Sequence, residues 1–221
     1  MEDRREWIAA RAAEICAELG YPSTPPVVFE PSWRKQPISL DPFKFERPKE
    51  PEPLNPPQLF VSPEALDTLS ERELMYRLTL ALVSGAPRRI DYSTKLGIPI
   101  AMTPPTLTFL VVVFLVWRFG WIWLLALPAV FAVIPISLPL LMPLICSLID
   151  AQTLRDHLRT VDRTGDAVTG VAILGGGKRK RPDWMPQFVW PRGEKRDSRL
   201  ASRLRREADR RGYRTEALPD A

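Results

Sequence analysis

The stretch PQLFVSPEALDTLSERELMYRLTLALVSG, residues 57–85, decides the fold of this 221-residue chain. Its first six residues, PQLFVS, predict a short strand because apolar residues lie between a proline pair and a serine. Ser62 and Pro63 predict a short helix through Asp67, since serine caps helices and proline suits the first helical turn. The local order is therefore a strand, a tight turn and a helix.

A second helix start follows at once. Ser70 and Glu73 have the S-x-x-E spacing of a capping box, which predicts that the next helix begins here. Leu74, Leu78 and Leu82 recur at helical spacing and predict one buried face. The residues between them are Met, Tyr, Arg, Thr, Leu and Ala, so this helix offers an incomplete set of groups for catalysis.

The region before this stretch divides into two parts. Residues 3–19 predict an amphipathic helix that Gly20 ends. Residues 21–57 contain eleven prolines and predict an extended linker without long helices or central strands. Within that linker, PPVVFE can form a short edge strand.

Two uncharged runs follow, residues 96–117 and 119–149. A bilayer crossing needs about 20 apolar residues, so these runs predict two crossings. We expect helices at 101–117 and 121–149 with a turn at 118–120. An alternative has the turn near Pro128, with Arg118 inside the first helix.

Basic residues predict the orientation of this hairpin. Arg88, Arg89 and Lys95 precede it and three arginines follow it by residue 163, whereas Arg118 is alone at the turn. The positive-inside rule then predicts an integral membrane protein with two transmembrane helices and both termini cytoplasmic.

The sequence after the hairpin predicts a helix, a tight turn and a second helix. Asp150 is an expected N-cap, and Leu154, Leu158 and Val161 have helical spacing. The TGD at 164–166 breaks this pattern, and Asp166 is in position to cap the next helix.

The basic charge of the chain belongs to its last part. Residues 175–221 hold 14 Lys/Arg and 7 Asp/Glu, whereas the whole chain has a net charge of +5. This tail is expected to be partly disordered, with a charged helix on which Leu200 and Leu204 are the main apolar residues. It can be a solvated helix, a surface for anionic lipid headgroups or, least favoured, a nucleic-acid surface.

The chain is poor in cysteine and histidine. Cys16 and Cys146 are expected to be free thiols in a reducing compartment, and His157 is the only histidine. A single histidine cannot form the H-E-x-x-H pair of a zinc peptidase.

The order of these pieces resembles the HtpX-like and CAAX-protease-like membrane zinc metallopeptidases. The resemblance rests on AELGYPSTPPVVFE, on LFVSPEALDTLSERELMYRLTLALV and on LRDHLRTVDRTGDAVTGVAIL, with a hairpin between the last two. It implies a fold that is mainly α with a little β, a small cytoplasmic α+β metallopeptidase-like domain interrupted by a two-helix transmembrane hairpin. The implied division is 1–20 amphipathic helix, 21–57 linker, 58–96 first half-domain, 97–149 hairpin, 150–174 second half-domain and 175–221 basic tail.

The functional residues of that family are missing from the matching positions. Leu80 and Ser84 stand where the resemblance implies zinc-binding histidines, and Ala81 stands where it implies the general base. Thr153 occupies the place of the third ligand, and His157 that of a nearby aspartate. No zinc or other cofactor is therefore expected, although active relatives bind zinc.

Two functions follow from this pattern. The first is a non-catalytic membrane pseudopeptidase that acts as a scaffold or as a binding or regulatory subunit for an unknown protein. The alternative is a membrane-bound peptidase or other hydrolase with a site around His157, where Asp156, Asp162 and Asp166 are the nearby acids.

Overall fold

The structure, a computed structural model, describes residues 2–31, 36–44, 52–86, 98–121, 127–176 and 193–215. The predictions for Arg88, Arg89 and Lys95, and for the tail residues 177–192, lie outside this range. The helices are α1 Glu2–Leu19, α2 Pro63–Thr68, α3 Glu71–Gly85, α4 Ile98–Phe119, α5 Leu127–Thr164, α6 Ala167–Gly176 and α7 Gly193–Arg210. The strands are β1 Val27–Val28, β2 Ile38–Lys44 and β3 Glu52–Val61. The described chain is thus mainly helical with one small sheet.

The sheet has the strand order β1-β3-β2. β1 pairs with β3 in parallel at two residues only, Val27 with Leu59 and Val28 with Phe60. β2 pairs with β3 in the antiparallel direction along most of its length. The predicted edge strand in PPVVFE is therefore confirmed.

The sheet also corrects the prediction that residues 21–57 form a linker without a central strand. β2 lies wholly inside that range, and β3 begins inside it. Prolines are tolerated because β3 has neighbours on both sides only at Leu59 and Phe60, beyond its last proline. In β2, Pro42 lies at a register shift between Asp41 and Phe43, where the ladder needs no amide hydrogen from it.

A first core cluster joins α1 to the sheet and to one face of α3. Its members are buried and apolar: Ile8, Ala12, Ile15, Cys16, Ile38, Leu59, Val61, Ala65, Leu66, Leu74, Leu78 and Leu82. The predicted helix at residues 3–19 and the predicted leucine face of α3 are both confirmed. Apolar residues recur at the helical period in α1 and α3 and at the strand period in the sheet, and their burial stabilises this first core cluster.

The helix starts follow the sequence signals closely. Ser62 precedes α2 with Pro63 at its first position, although the Ser62 side chain forms no capping hydrogen bond. Ser70 caps α3 by accepting a hydrogen bond from the Glu73 amide, 3.2 Å away. Glu73 does not return the bond expected of a capping box but pairs with Arg77 at 2.7 Å. One half of the predicted box is therefore confirmed.

The α5–α6 junction has the predicted turn. Gly165 has φ +67°, a left-handed conformation that side chains with a Cβ rarely adopt, and it ends α5. Asp166 then accepts a hydrogen bond from the Thr169 amide at 3.0 Å and caps α6. Asp150, however, lies inside α5 and caps nothing, because the helix runs through it from Leu127.

α7 is a strongly amphipathic helix. Its buried residues are Arg196, Asp197, Leu200, Ala201, Leu204 and Ala208, and the last five form one stripe at helical spacing. The apolar members join a second core cluster with Tyr76, Leu158, Val161, Ala167 and Leu174. The predicted roles of Leu200 and Leu204 are confirmed, and this part of the basic tail belongs to the core.

The chain divides into two units. The first comprises residues 1–89, 154–177 and 197–221, and it contains both core clusters. The second comprises residues 90–153 and 178–196. In the second unit, α4 has many exposed large apolar side chains, whereas Val112 is buried.

Within the described ranges, no helix combines the length and the apolar character that a membrane crossing requires. The predicted transmembrane hairpin at 97–149 is therefore wrong, and so are the expected multi-pass membrane protein and its two cytoplasmic termini. The prediction counted uncharged residues, and such a count does not establish a spanning helix. Of the predicted second crossing, residues 127–149 belong to α5, which continues past Asp150 through residues that include Arg155 and Asp156.

Candidate functional site

α3 contributes to both core clusters of the first unit. Leu74, Leu78 and Leu82 pack in the first cluster, and Tyr76 packs in the second. A helix presents residues three and four apart on one face, so the leucine stripe and Tyr76 point in different directions. The helix that the resemblance would make catalytic is thus held from two sides.

The positions of the missing zinc site on α3 take part in packing. Leu80 is half-buried against the second cluster, and Ala81 is half-buried against the first. Ser84 is half-buried near the helix end. An isobutyl group and a methyl group cannot bind a metal or accept a proton, so these side chains contribute packing alone.

Thr153, the position of the expected third ligand, belongs to the second unit. Its hydroxyl donates a hydrogen bond to the Ile149 carbonyl one turn earlier in α5, at 2.9 Å. This is the local bond that threonine commonly forms inside a helix. The Thr153 hydroxyl is therefore hydrogen-bonded to the backbone of its own helix.

His157 is buried and forms a hydrogen bond with Tyr76 of α3. The Tyr76 hydroxyl oxygen lies 2.8 Å from His157 Nδ1, and the two rings are tilted by 34° with centroids 5.8 Å apart. Burial, together with the negative charge of Asp166, raises the pKa of Tyr76 well above its ordinary value. Tyr76 therefore stays a neutral phenol, and the pair serves as a polar contact inside the core.

The ring of Tyr76 lies close to the backbone of α6 at Gly170. A Cβ atom added to Gly170 of α6 would lie 2.4 Å from the Tyr76 hydroxyl oxygen and 2.9 Å from its Cζ atom. Only glycine leaves enough room for the ring at this position. Gly170, Tyr76 and His157 thus form one tightly packed group.

An ion pair joins α3 to the start of α6. Arg72 donates two hydrogen bonds to Asp166, at 2.6 and 2.8 Å, in the bidentate geometry that favours guanidinium–carboxylate pairs. Burial of Asp166 opposes its charge, but the hydrogen bonds from Arg72 and Thr169 outweigh it and hold the pKa of Asp166 below its ordinary value. Asp166 is therefore an ionised structural group.

Two of the three acids expected around His157 pair with arginines. Asp166 pairs with Arg72, and Asp162 pairs with Arg211 at 2.7 Å. Asp156 is buried next to His157 in the chain. Among the described residues, no group of three or more His, Cys, Asp and Glu side chains is arranged to hold a metal ion.

Both cysteines are buried and free, as expected. Burial raises the pKa of the Cys16 thiol to about 11, so it is a poor nucleophile at neutral pH. In the second unit, burial likewise raises the pKa of Cys146, against the opposing effect of Arg196. Arg196 donates to Asp150 at 2.6 Å, and both belong to that unit.

α7 has a basic surface whose individual arginines were not among the predicted site residues. Arg199, Arg203 and Arg206 lie on its solvent side at spacings of four and three residues, and with Ser198 and Ser202 they line a groove of about 320 Å³. Within the described part of the chain, no carboxylate lies within ion-pair distance of these three arginines. We call Arg199, Arg203 and Arg206 the arginine face; arginines at helical spacing opposite the Leu200–Leu204 stripe were the signal in the sequence.

Comparison of the chain with protein families, with curated proteins and with solved structures finds no match.

Proposed function

We propose that this chain is a non-catalytic binding protein whose layout resembles the zinc metallopeptidases, and that its arginine face binds an acidic segment of a partner protein. The observation behind this proposal is the set of three outward guanidinium groups on one side of α7 without carboxylate partners from the described chain. Arginine forms strong bidentate bonds with carboxylates, so such a row favours an acidic ligand.

The state of the peptidase-like positions supports a non-catalytic role. Leu80 is used in packing, and His157 is buried and bonded to Tyr76. A zinc peptidase needs protein ligands with lone pairs and a base that reaches the bound water. Groups committed to the core do not meet that need.

The spacing of the arginine face favours a helical partner over a flexible one. On a helix, residues at i, i+4 and i+7 lie along one line, about 1.5 Å apart per residue. Glutamates at the same spacing on an antiparallel helix would meet all three arginines. The α7 stripe of Leu200 and Leu204 fixes the helix against the core, so the arginine face is presented on a rigid element.

The binding test uses a fluorescein-labelled helical peptide with glutamates at i, i+4 and i+7. We expect Arg199→Gln/Arg203→Gln/Arg206→Gln to weaken binding about tenfold, because each exposed pair contributes up to about 1 kcal/mol. The matched control is Arg11→Gln/Arg159→Gln/Arg214→Gln, which removes the same charge from exposed positions outside α7. Equal weakening by both triple variants would refute a specific site, as would face-dependent binding of an oligonucleotide or an anionic vesicle in place of the peptide.

The non-catalytic half of the proposal has its own measurement. After dialysis against a weak chelator, elemental analysis of the purified chain should find zinc far below one ion per chain. One zinc per chain, or peptide hydrolysis lost in His157→Gln, would establish an enzyme instead. The two halves can therefore fail separately.

A further inference from the structure

The exposed apolar residues of α4 have a regular spacing. Leu107, Leu110, Phe114 and Trp117 follow one another at intervals of three, four and three residues, and each is between 54% and 80% exposed. This is the a/d spacing of a coiled-coil heptad. We call these four residues the α4 seam.

The burial pattern around the helix agrees with that assignment. With Leu107 and Phe114 at a positions, Val112 falls at position f, opposite the seam, and Val112 is buried. Val111 and Val113 then fall at e and g beside the seam, and both are about half exposed. The side of α4 that faces outward is therefore centred on the seam.

The amount of apolar surface is more than scattered exposure explains. A large side chain presents about 150–250 Å², so the exposed parts of the seam and its neighbours Val111 and Val113 amount to roughly 700 Å². Single soluble chains rarely leave contiguous apolar patches of this size uncovered. A standard interface buries about 800 Å² on each partner, so one helix-on-helix contact matches the area.

We propose that α4 pairs with α4 of a second copy of this chain through the seam. The seam is self-complementary, since a knobs-into-holes contact needs the same a/d residues on both helices. Residues 96–117 contain no charged side chain, so two copies can approach without repulsion between like charges. A twofold pair of this kind is the commonest form of closed assembly.

Two phenylalanines of α4 offer a matched test. Phe114 lies in the seam and is 54% exposed, whereas Phe109 lies outside it and is 47% exposed. Sedimentation velocity of the full chain over about 1–100 µM should give a monomer–dimer equilibrium. Phe114→Glu should raise its apparent Kd at least about tenfold, and Phe109→Glu less than about threefold.

Circular dichroism of both variants checks that the helices remain. If Phe114→Glu does not fold, Trp117→Glu at the most exposed seam position takes its place. Three results would overturn the proposal: a wild-type chain that sediments as a monomer throughout, assembly that Phe114→Glu and Phe109→Glu weaken equally, or monomers that bind phosphatidylcholine vesicles through the seam.

Discussion

The two core clusters of the first unit use different interactions. The first cluster, between α1, the sheet and α3, consists of apolar side chains and Cys16. The second cluster, between α3, α5, α6 and α7, also surrounds the Tyr76–His157 hydrogen bond and lies near the Arg72–Asp166 pair. Apolar packing tolerates substitutions of similar volume, whereas buried polar groups require particular partners. The second cluster should therefore be the more specific and the more sensitive to pH.

The largest expected effect tests whether the two clusters contribute equally through apolar burial. Leu204→Ala in the second cluster and Leu66→Ala in the first should each lower the free energy of unfolding by about 2–5 kcal/mol, because both leucines are fully buried. Urea denaturation measures both. The exposed neighbour substitution Arg203→Ala should stay within about 0.5 kcal/mol. If Leu204→Ala lowered the free energy of unfolding by no more than Arg203→Ala does, α7 would not be part of the core.

The next effect tests the tight packing that distinguishes the second cluster. Gly170→Ala should lower the free energy of unfolding by about 1–3 kcal/mol, because the new methyl group would displace Tyr76 from His157. Gly176→Ala in the same helix meets no atom within 4 Å and should cost nothing. In a Tyr76→Phe background the cost of Gly170→Ala should shrink, since the closest atom is gone. An unchanged cost in that background would place the strain elsewhere.

The smallest effect tests the expected difference in pH dependence. Asp166→Asn keeps the cap of α6 but removes the charge, and it should cost up to about 1 kcal/mol at pH 7 because Arg72 is largely exposed. The pKa of Asp166 is depressed by folding, so its contribution is present above the ordinary value of 3.8 and is lost as the pH falls through the lower folded-state pKa.

Urea denaturation of Asp166→Asn between pH 2 and pH 7 makes that measurement. The difference from wild type should disappear at the acid end, whereas the cost of Leu66→Ala should stay constant over the same range. A difference for Asp166→Asn that does not vary with pH would show that the ion pair adds nothing beyond the cap.

The parts of the fold that sequence reasoning reached were those with local causes. Ser70, Gly165 and Asp166 mark helix ends through bonds or dihedral angles within a few residues, and the structure has each of them. The Leu200–Leu204 stripe likewise predicts its own burial. Local geometry is readable because the groups that determine it are neighbours in the chain.

The missed parts depend on residues far apart in the chain. The prolines of residues 21–57 predicted a linker in place of β2. The pairing of β2 with β3 depends on residues distant in the chain, and a proline count cannot predict it. The Tyr76–His157 bond joins residues 81 positions apart. The hairpin prediction failed because it used only the length of the uncharged runs. That length does not determine what a helix packs against.

The two clusters also differ in when they can form. All residues of the first cluster lie between positions 8 and 82, so it can assemble as soon as that part of the chain has been synthesised. The second cluster brings Tyr76 together with Leu204 and Ala208 and must await nearly the whole chain, with a larger loop-closure entropy. We therefore expect an order of folding in which α3 is fixed on its leucine side first and closes on α7 last.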